Sequence, residues 1–138
     1  MIHLGMSGRI IIYPDDVPPA GRHDHIEFIT EKGITIRYCD PRRFGFMDLF
    51  PASSYAEHPM ISHLGPEPLT DNFDVISFNN KLSGRKIPIK TALLDQRVVA
   101  GLGNIYACEA LFRARISPRR LAHNIPGERS KRLVAAIK

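Results

Sequence analysis

The feature that most constrains this chain is a change of hydrophobic period partway along it. In residues 25–30 and 34–39 apolar side chains alternate with polar ones: Ile26 and Phe28, then Ile34, Ile36 and Tyr38 set against Thr35 and Arg37. Period two makes one face of a strand apolar, and the intervening Glu31-Lys32-Gly33 reads as the turn of a β-hairpin. The run Ile10-Ile11-Ile12-Tyr13 predicts a third strand, closed by Pro14-Asp15-Asp16 and the loose Pro18-Pro19-Ala20-Gly21. From about residue 70 onward the apolar residues return at helical spacing instead. Strands followed by helices predict an α+β chain.

Between the two patterns lie residues 51–69, with Pro59, Pro66 and Pro68 and no clear period. Turn composition of this kind reads as a linker. The expected division is therefore a β part over 1–55, a linker over 56–69 and a helical part over 70–138. In the helical part Thr70 or Asp71 is placed to cap a helix carrying Phe73, Ile76, Phe78 and Leu82. A shorter helix follows Pro88 through Leu93 and Leu94. After a break at Ala100-Gly101-Leu102-Gly103-Asn104, a third helix carries Ile105, Cys108, Leu111 and Phe112 on one face. A last helix over 127–138 buries Leu133, Val134 and Ile137.

Charge sharpens the division. The net charge of the 138 residues is +5. Residues 1–80 carry 6 Lys and Arg against 11 Asp and Glu, whereas residues 81–138 carry 13 against 3. A half this basic fits a polyanionic partner, nucleic acid first. The apolar runs are too short for a membrane span, no signal-peptide pattern opens the sequence, and the 2 cysteines form no CxxC. A reduced cytosolic setting, with no disulfide framework and no metal site within the chain, is the expectation.

Three constellations carry candidate chemistry. In Gly101-Leu102-Gly103-Asn104 two glycines permit a tight turn, with Asn104 at the expected N-cap of the helix behind it. Free backbone N–H groups and the helix dipole make such an end a phosphate seat, unless it is an ordinary capped helix. Arg85, Lys86, Lys90 and Arg97 just upstream favour the first reading. Gly5-Met6-Ser7-Gly8 is a loop from which Met6 either projects or packs inward. Arg42-Arg43-Phe44-Gly45 sets two cations beside an aromatic on a turn. That suits a stacked, anionic duplex, with the ring entering a base step, unless Phe44 folds back into the core. His23-Asp24-His25 lacks the further ligands of a metal site, although His23 can donate to a phosphate. Asp40, Asp48 and Asp95 are scattered, and no nucleophile is identified.

Taken in order, "IHLGMSGR", "HDHIEF", "DPRRFG", "HLGPEPL" and "IKTALLDQRVVAGLGNIYACEALFRARISPRR" closely resemble the bacterial formamidopyrimidine-DNA glycosylase family. The methionine loop and the DPRRFG run look like its oxidised-purine branch rather than its sister, endonuclease VIII. The resemblance implies an antiparallel β-sandwich followed by a helix-two-turn-helix domain, and a bacterial cytosolic enzyme of base-excision repair. It implies a bifunctional glycosylase and AP lyase that removes formamidopyrimidine and 8-oxoguanine from duplex DNA. By position, Met6, Arg42 and Phe44 would fill the gap left by the extruded nucleotide. His23, Arg43, Arg85, Lys90 and Asn104 would contact phosphates.

In that family a terminal proline followed by glutamate supplies the nucleophilic amine, and a four-cysteine finger holds zinc. Neither pattern occurs here, so the chain resembles the central piece of such an enzyme, with no catalytic residue and no cofactor of its own. The expectation is an inactive chain that binds damaged duplex DNA weakly and is either marginally stable or self-associates through exposed β edges. The alternative is a non-enzymatic nucleic-acid-binding module built on the helix-two-turn-helix fold.

Overall fold

The structure, a computed structural model, describes residues 1–138. They form two compact units, Met1–Ser54 and Tyr55–Lys138.

The first unit contains five strands: β1 (Ile2–His3), β2 (Arg9–Tyr13), β3 (Asp24–Ile29), β4 (Thr35–Cys39) and β5 (Phe46–Met47). Strands β3 and β4 are the expected hairpin, joined through a turn in which Gly33 N–H donates to Thr30 O at 2.9 Å. Strand β4 is central in the order β2-β4-β3, and β1 pairs separately with β5; all pairings are antiparallel. A bulge between Asp24 and Ile26 leaves His25 without a cross-strand partner, and its Nε2 lies 2.9 Å from Asp40 O instead.

Register places Ile10, Tyr38 and Ile26 in one row and Ile12, Ile36 and Phe28 in another. The two rows share a face. That face is closed at Tyr38, 5% exposed, and open at its other end, where Ile12 is 62% and Phe28 45% exposed. Beside it Met1, Ile2, Met47 and Leu49 line the rest of an apolar groove of about 400 Å³ with Ile26 and Phe28. The opposite face is satisfied. There Arg37, 2% exposed, is ion-paired with Asp24 and Glu27, donates to Pro18 O and packs on the Tyr13 ring.

The second unit contains α1 (Val75–Leu82), α2 (Ile89–Leu94), α3 (Asn104–Arg113) and α4 (Glu128–Ile137). The cap of α1 is Asp74, in a reciprocal capping box with Ser77. It lies beyond both expected positions, Thr70 and Asp71, so Phe73 is buried ahead of the helix and Ile76 stays exposed. Phe73, Phe78, Leu82, Ile89, Leu93, Val98, Leu111 and Leu133 form the heart of one core, each side chain contributing about 1.5–3 kcal/mol.

Helix α3 differs from its expected phase. Its buried residues are Ala107, Ala110 and Leu111, while Ile105 and Phe112 are 78% and 80% exposed. Alanines let α3 approach α2 and α4, so the larger side chains turn outward. The stretch read as a linker is also not free. Gly65 N–H donates to Gln96 O at 2.8 Å and Ala100 N–H to Pro66 O at 3.0 Å, which ties it to the helical core.

Candidate nucleic-acid interface

Strand pairing explains how two distant loops meet. Residues 4–8 connect β1 to β2, and residues 40–45 connect β4 to β5. The pairs His3↔Phe46 and Arg9↔Cys39 hold both ends of both loops side by side. The His3 and Phe46 rings stack at 5.3 Å, and His3 Nδ1 accepts from Gly5 N–H at 3.1 Å. Gly5 has φ +60°, and a Cβ there would lie 2.7 Å from the Phe44 carbonyl carbon. Only glycine allows the loops to come this close.

Met6, Arg42 and Phe44 project from the junction. Met6 is 77% and Phe44 57% exposed, so neither is a core residue. Arg42 bridges them: its guanidinium carbon lies 4.5 Å from the centre of the Phe44 ring, and Nη1 donates to Met6 Sδ at 3.6 Å. The result is a compact ridge of thioether, guanidinium and phenyl ring. Next to it Arg43 holds φ +55°, a left-handed conformation uncommon outside glycine, and His23 is also exposed. Asp40 N–H donates to His23 O at 2.9 Å, which anchors that residue beside the same turn.

Beneath the ridge lies Asp40, 1% exposed, which nothing in the sequence pattern marks as functional. Its carboxylate accepts from Ser7 Oγ at 2.6 Å, Gly45 N at 2.8 Å and Tyr38 OH at 3.0 Å. The Ser7 hydroxyl first, and then Gly45 N–H, hold Asp40 down to about 2 against the opposing effect of burial. An Asp at the start of a turn is a common turn former; its bond to Ser7 spans 33 residues and leaves no local signal.

In the helical unit the glycine turn before α3 is built as expected, with one correction. The N-cap is Gly103, without a side-chain cap, and Asn104 is the first helical residue. Its N–H and the next two therefore face outward without a capping acceptor, as at any uncapped helix start. Gly101, at φ +76°, makes the turn, and Gln96 staples it: Gly101 N–H donates to Oε1 at 2.7 Å and Nε2 donates to Leu102 O at 3.1 Å. Gln96 was also missed in the sequence. Asn104 Oδ1 accepts weakly from Cys108 Sγ at 4.0 Å. Lys90 and Cys108 line one groove with Leu111, Phe112 and Arg115.

Arg85 and Arg97 are engaged with Asp95. Arg85 Nη1 donates to Asp95 at 2.9 Å and Nε to Lys81 O at 2.8 Å. Arg97 grips the same carboxylate through Nε at 2.8 Å and Nη2 at 3.0 Å. Arg97 first, and then Arg85, hold Asp95 well below the usual carboxylate range. Arg85 is thus partly committed to the fold, with a side chain 30% exposed. No zinc site fits these residues: Cys39 is buried, Cys108 is exposed, and no group of three or more His, Cys, Asp or Glu is gathered to hold a metal. No helix is long and apolar enough to cross a membrane.

Comparison with known proteins gives the family. Residues 1–47 match the formamidopyrimidine-DNA glycosylase N-terminal domain, and residues 64–138 match the formamidopyrimidine-DNA glycosylase H2TH domain. The chain is similar to the formamidopyrimidine-DNA glycosylase of Rhodospirillum centenum, 54% identical across all of this chain and 50% of that protein. The Rhodospirillum rubrum protein of the same name is 51% identical, again over all of this chain and 50% of its own length. Among solved structures, MutM (Fpg) from Thermus thermophilus aligns with TM-score 0.83 and 42% identity over 99% of this chain and 48% of that one. Lactococcus lactis Fpg, crystallised with DNA containing an abasic site, aligns with TM-score 0.88 and 32% identity over 99% of this chain and 49% of that one. The chain spans about half the length of the curated relatives it matches. On these matches, it belongs to the formamidopyrimidine-DNA glycosylase family.

Proposed function

We propose that this chain is the damaged-DNA-binding part of a bifunctional DNA glycosylase and AP lyase. The whole enzyme excises oxidised purines, formamidopyrimidine and 8-oxoguanine, from duplex DNA. The observation that carries the reading is the ridge of Met6, Arg42 and Phe44, solvent-facing and in mutual contact. A flipped nucleotide leaves a hole in the base stack, and unstacking costs a few kcal/mol, least at damage. Arg42 would pair with the orphaned base, Phe44 would wedge the adjacent step, and Met6 would occupy the vacated space.

His23 and Arg43 in the β unit, with Lys90, Asn104 and Arg85 in the helical unit, would contact phosphates. Arg85 contributes less than Lys90, because Asp95 already holds its guanidinium. None of the three ridge side chains is an amine or an acid, so these residues supply recognition rather than the covalent step. Incubating the chain with an oxidised-guanine duplex and borohydride tests this division: no trapped adduct is expected, and an adduct would refute it. The open face around Ile12 and Phe28 would further drive self-association of the isolated chain.

A further inference from the structure

We propose that Asp40 is the positioning residue that locks the Met6 loop and the Arg42–Phe44 turn into a single rigid wedge. The inference rests on the gap-filling reading above and deepens it.

Three segments converge on this one carboxylate. Ser7 belongs to the loop that presents Met6, Gly45 directly follows Phe44, and Tyr38 belongs to the central strand of the sheet. Their three donors lie at 2.6, 2.8 and 3.0 Å. A fourth link passes through Ser7, whose hydroxyl oxygen accepts from Arg42 N–H at 3.2 Å. The backbone of the bridging arginine is thereby tied to the methionine loop as well. All the donors to Asp40 are neutral. Arg42 Nη1 goes instead to Met6, so the carboxylate leaves the exposed cation available.

A buried carboxylate satisfied in this way is costly to disturb, since removing one partner strands the others in a dry site. The two loops therefore hold a fixed spacing at their base, and the projecting groups need little ordering when they enter DNA. Ordering side chains on association lowers affinity, and preorganisation reduces that loss. At 1% exposed, the carboxylate is closed off from any base or phosphate. It acts on lesion recognition only through the loops it joins.

The test compares binding of the chain to a duplex with one abasic-site analogue and to the intact duplex of the same sequence. Four single variants, Ser7→Ala, Ser7→Thr, Asp40→Asn and Phe44→Ala, are used with the Ser7→Ala/Asp40→Asn double variant. Ser7→Ala and Asp40→Asn should each lower the damaged-over-intact ratio by about 10-fold, the scale of one hydrogen bond to a charged group, while intact-duplex affinity holds. Ser7→Thr, which keeps the hydroxyl, should retain the ratio. Ser7→Ala added to Asp40→Asn should lower it no further. If Asp40→Asn fails to fold, Ser7→Ala decides alone, because it leaves the bonds from Tyr38 and Gly45 in place. An unchanged ratio in Ser7→Ala, with loss in Phe44→Ala, overturns the positioning role and spares the wedge. An unchanged ratio in Phe44→Ala removes the gap-filling reading and the inference with it.

Discussion

The guanidinium of Arg42 lies over the ring of Phe44, 4.5 Å from its centre. At an exposed site such a contact contributes about 0.5–1 kcal/mol, which is small for folding but enough to hold two long side chains as one unit. The pair offers a planar cation and a planar apolar surface together. A stacked duplex with a missing base presents matching surfaces, an unpaired base edge beside an exposed step.

Replacing Phe44 with Ala should remove the wedge without harming the fold, because the ring is 57% exposed. Base–aromatic stacking is worth about 1–3 kcal/mol per base. A 2-aminopurine placed beside the gap should brighten when the unsubstituted chain binds and stay quenched with Phe44→Ala. Equal brightening by both would place the ring outside the stack.

Binding should weaken steeply with salt, because phosphate neutralisation releases counterions. Each phosphate contact contributes about 0.9 to the slope of log affinity against log salt concentration. Lys90→Ala should flatten the slope by about one such contact, whereas Arg97→Ala should change it little, since that guanidinium is turned onto Asp95. A slope unaltered by Lys90→Ala would take the lysine out of the interface.

The Asp40 junction has a pH signature. Its carboxyl falls from an ordinary 3.8 to about 2 in the folded chain. The unfolded state therefore binds the proton more readily. The stabilisation is fully present above the unfolded value, fades as pH falls through the two values, and is lost below the folded one. Melting temperature measured from pH 6 to pH 2 should drop across that window. In Asp40→Asn the drop should be shallower, because that titration is gone; an identical acid limb would mean that Asp40 is not held as described.

The apolar face of the three-stranded sheet should make the isolated chain associate. Ile12 sits on edge strand β2, 62% exposed, with no strand beyond it in the sheet. Sedimentation should show self-association in the unsubstituted chain and less of it in Ile12→Lys, since charge on an edge blocks pairing. A monomer at all concentrations would show that the face is tolerated in water.

Much of this was legible in sequence wherever the signal is local. The β3–β4 hairpin follows from period-two alternation around Gly33, and the bend before α3 follows from Gly101 and Gly103. The residues alone left open whether Met6 and Phe44 project or pack inward, and only the family resemblance grouped them with Arg42; both side chains are exposed. Three other features were not legible. The buried face of α3 is made largely of alanines, whose low apolarity conceals close helix packing, so the larger Ile105 and Phe112 pointed to the wrong phase. The helix start at Asn104 lies one residue before its expected place, because Gly103 serves as an uncapped N-cap. Asp40 and Gln96 work through partners far along the chain or on neighbouring backbone, and spacing alone does not reveal such bonds.

The most direct measurement is a competition in which the unsubstituted chain, at one fixed salt concentration, chooses between an abasic-analogue duplex and its intact counterpart. The ridge of Met6, Arg42 and Phe44 predicts that the damaged duplex displaces the intact one at lower concentration. Equal competition by the two duplexes would contradict the account.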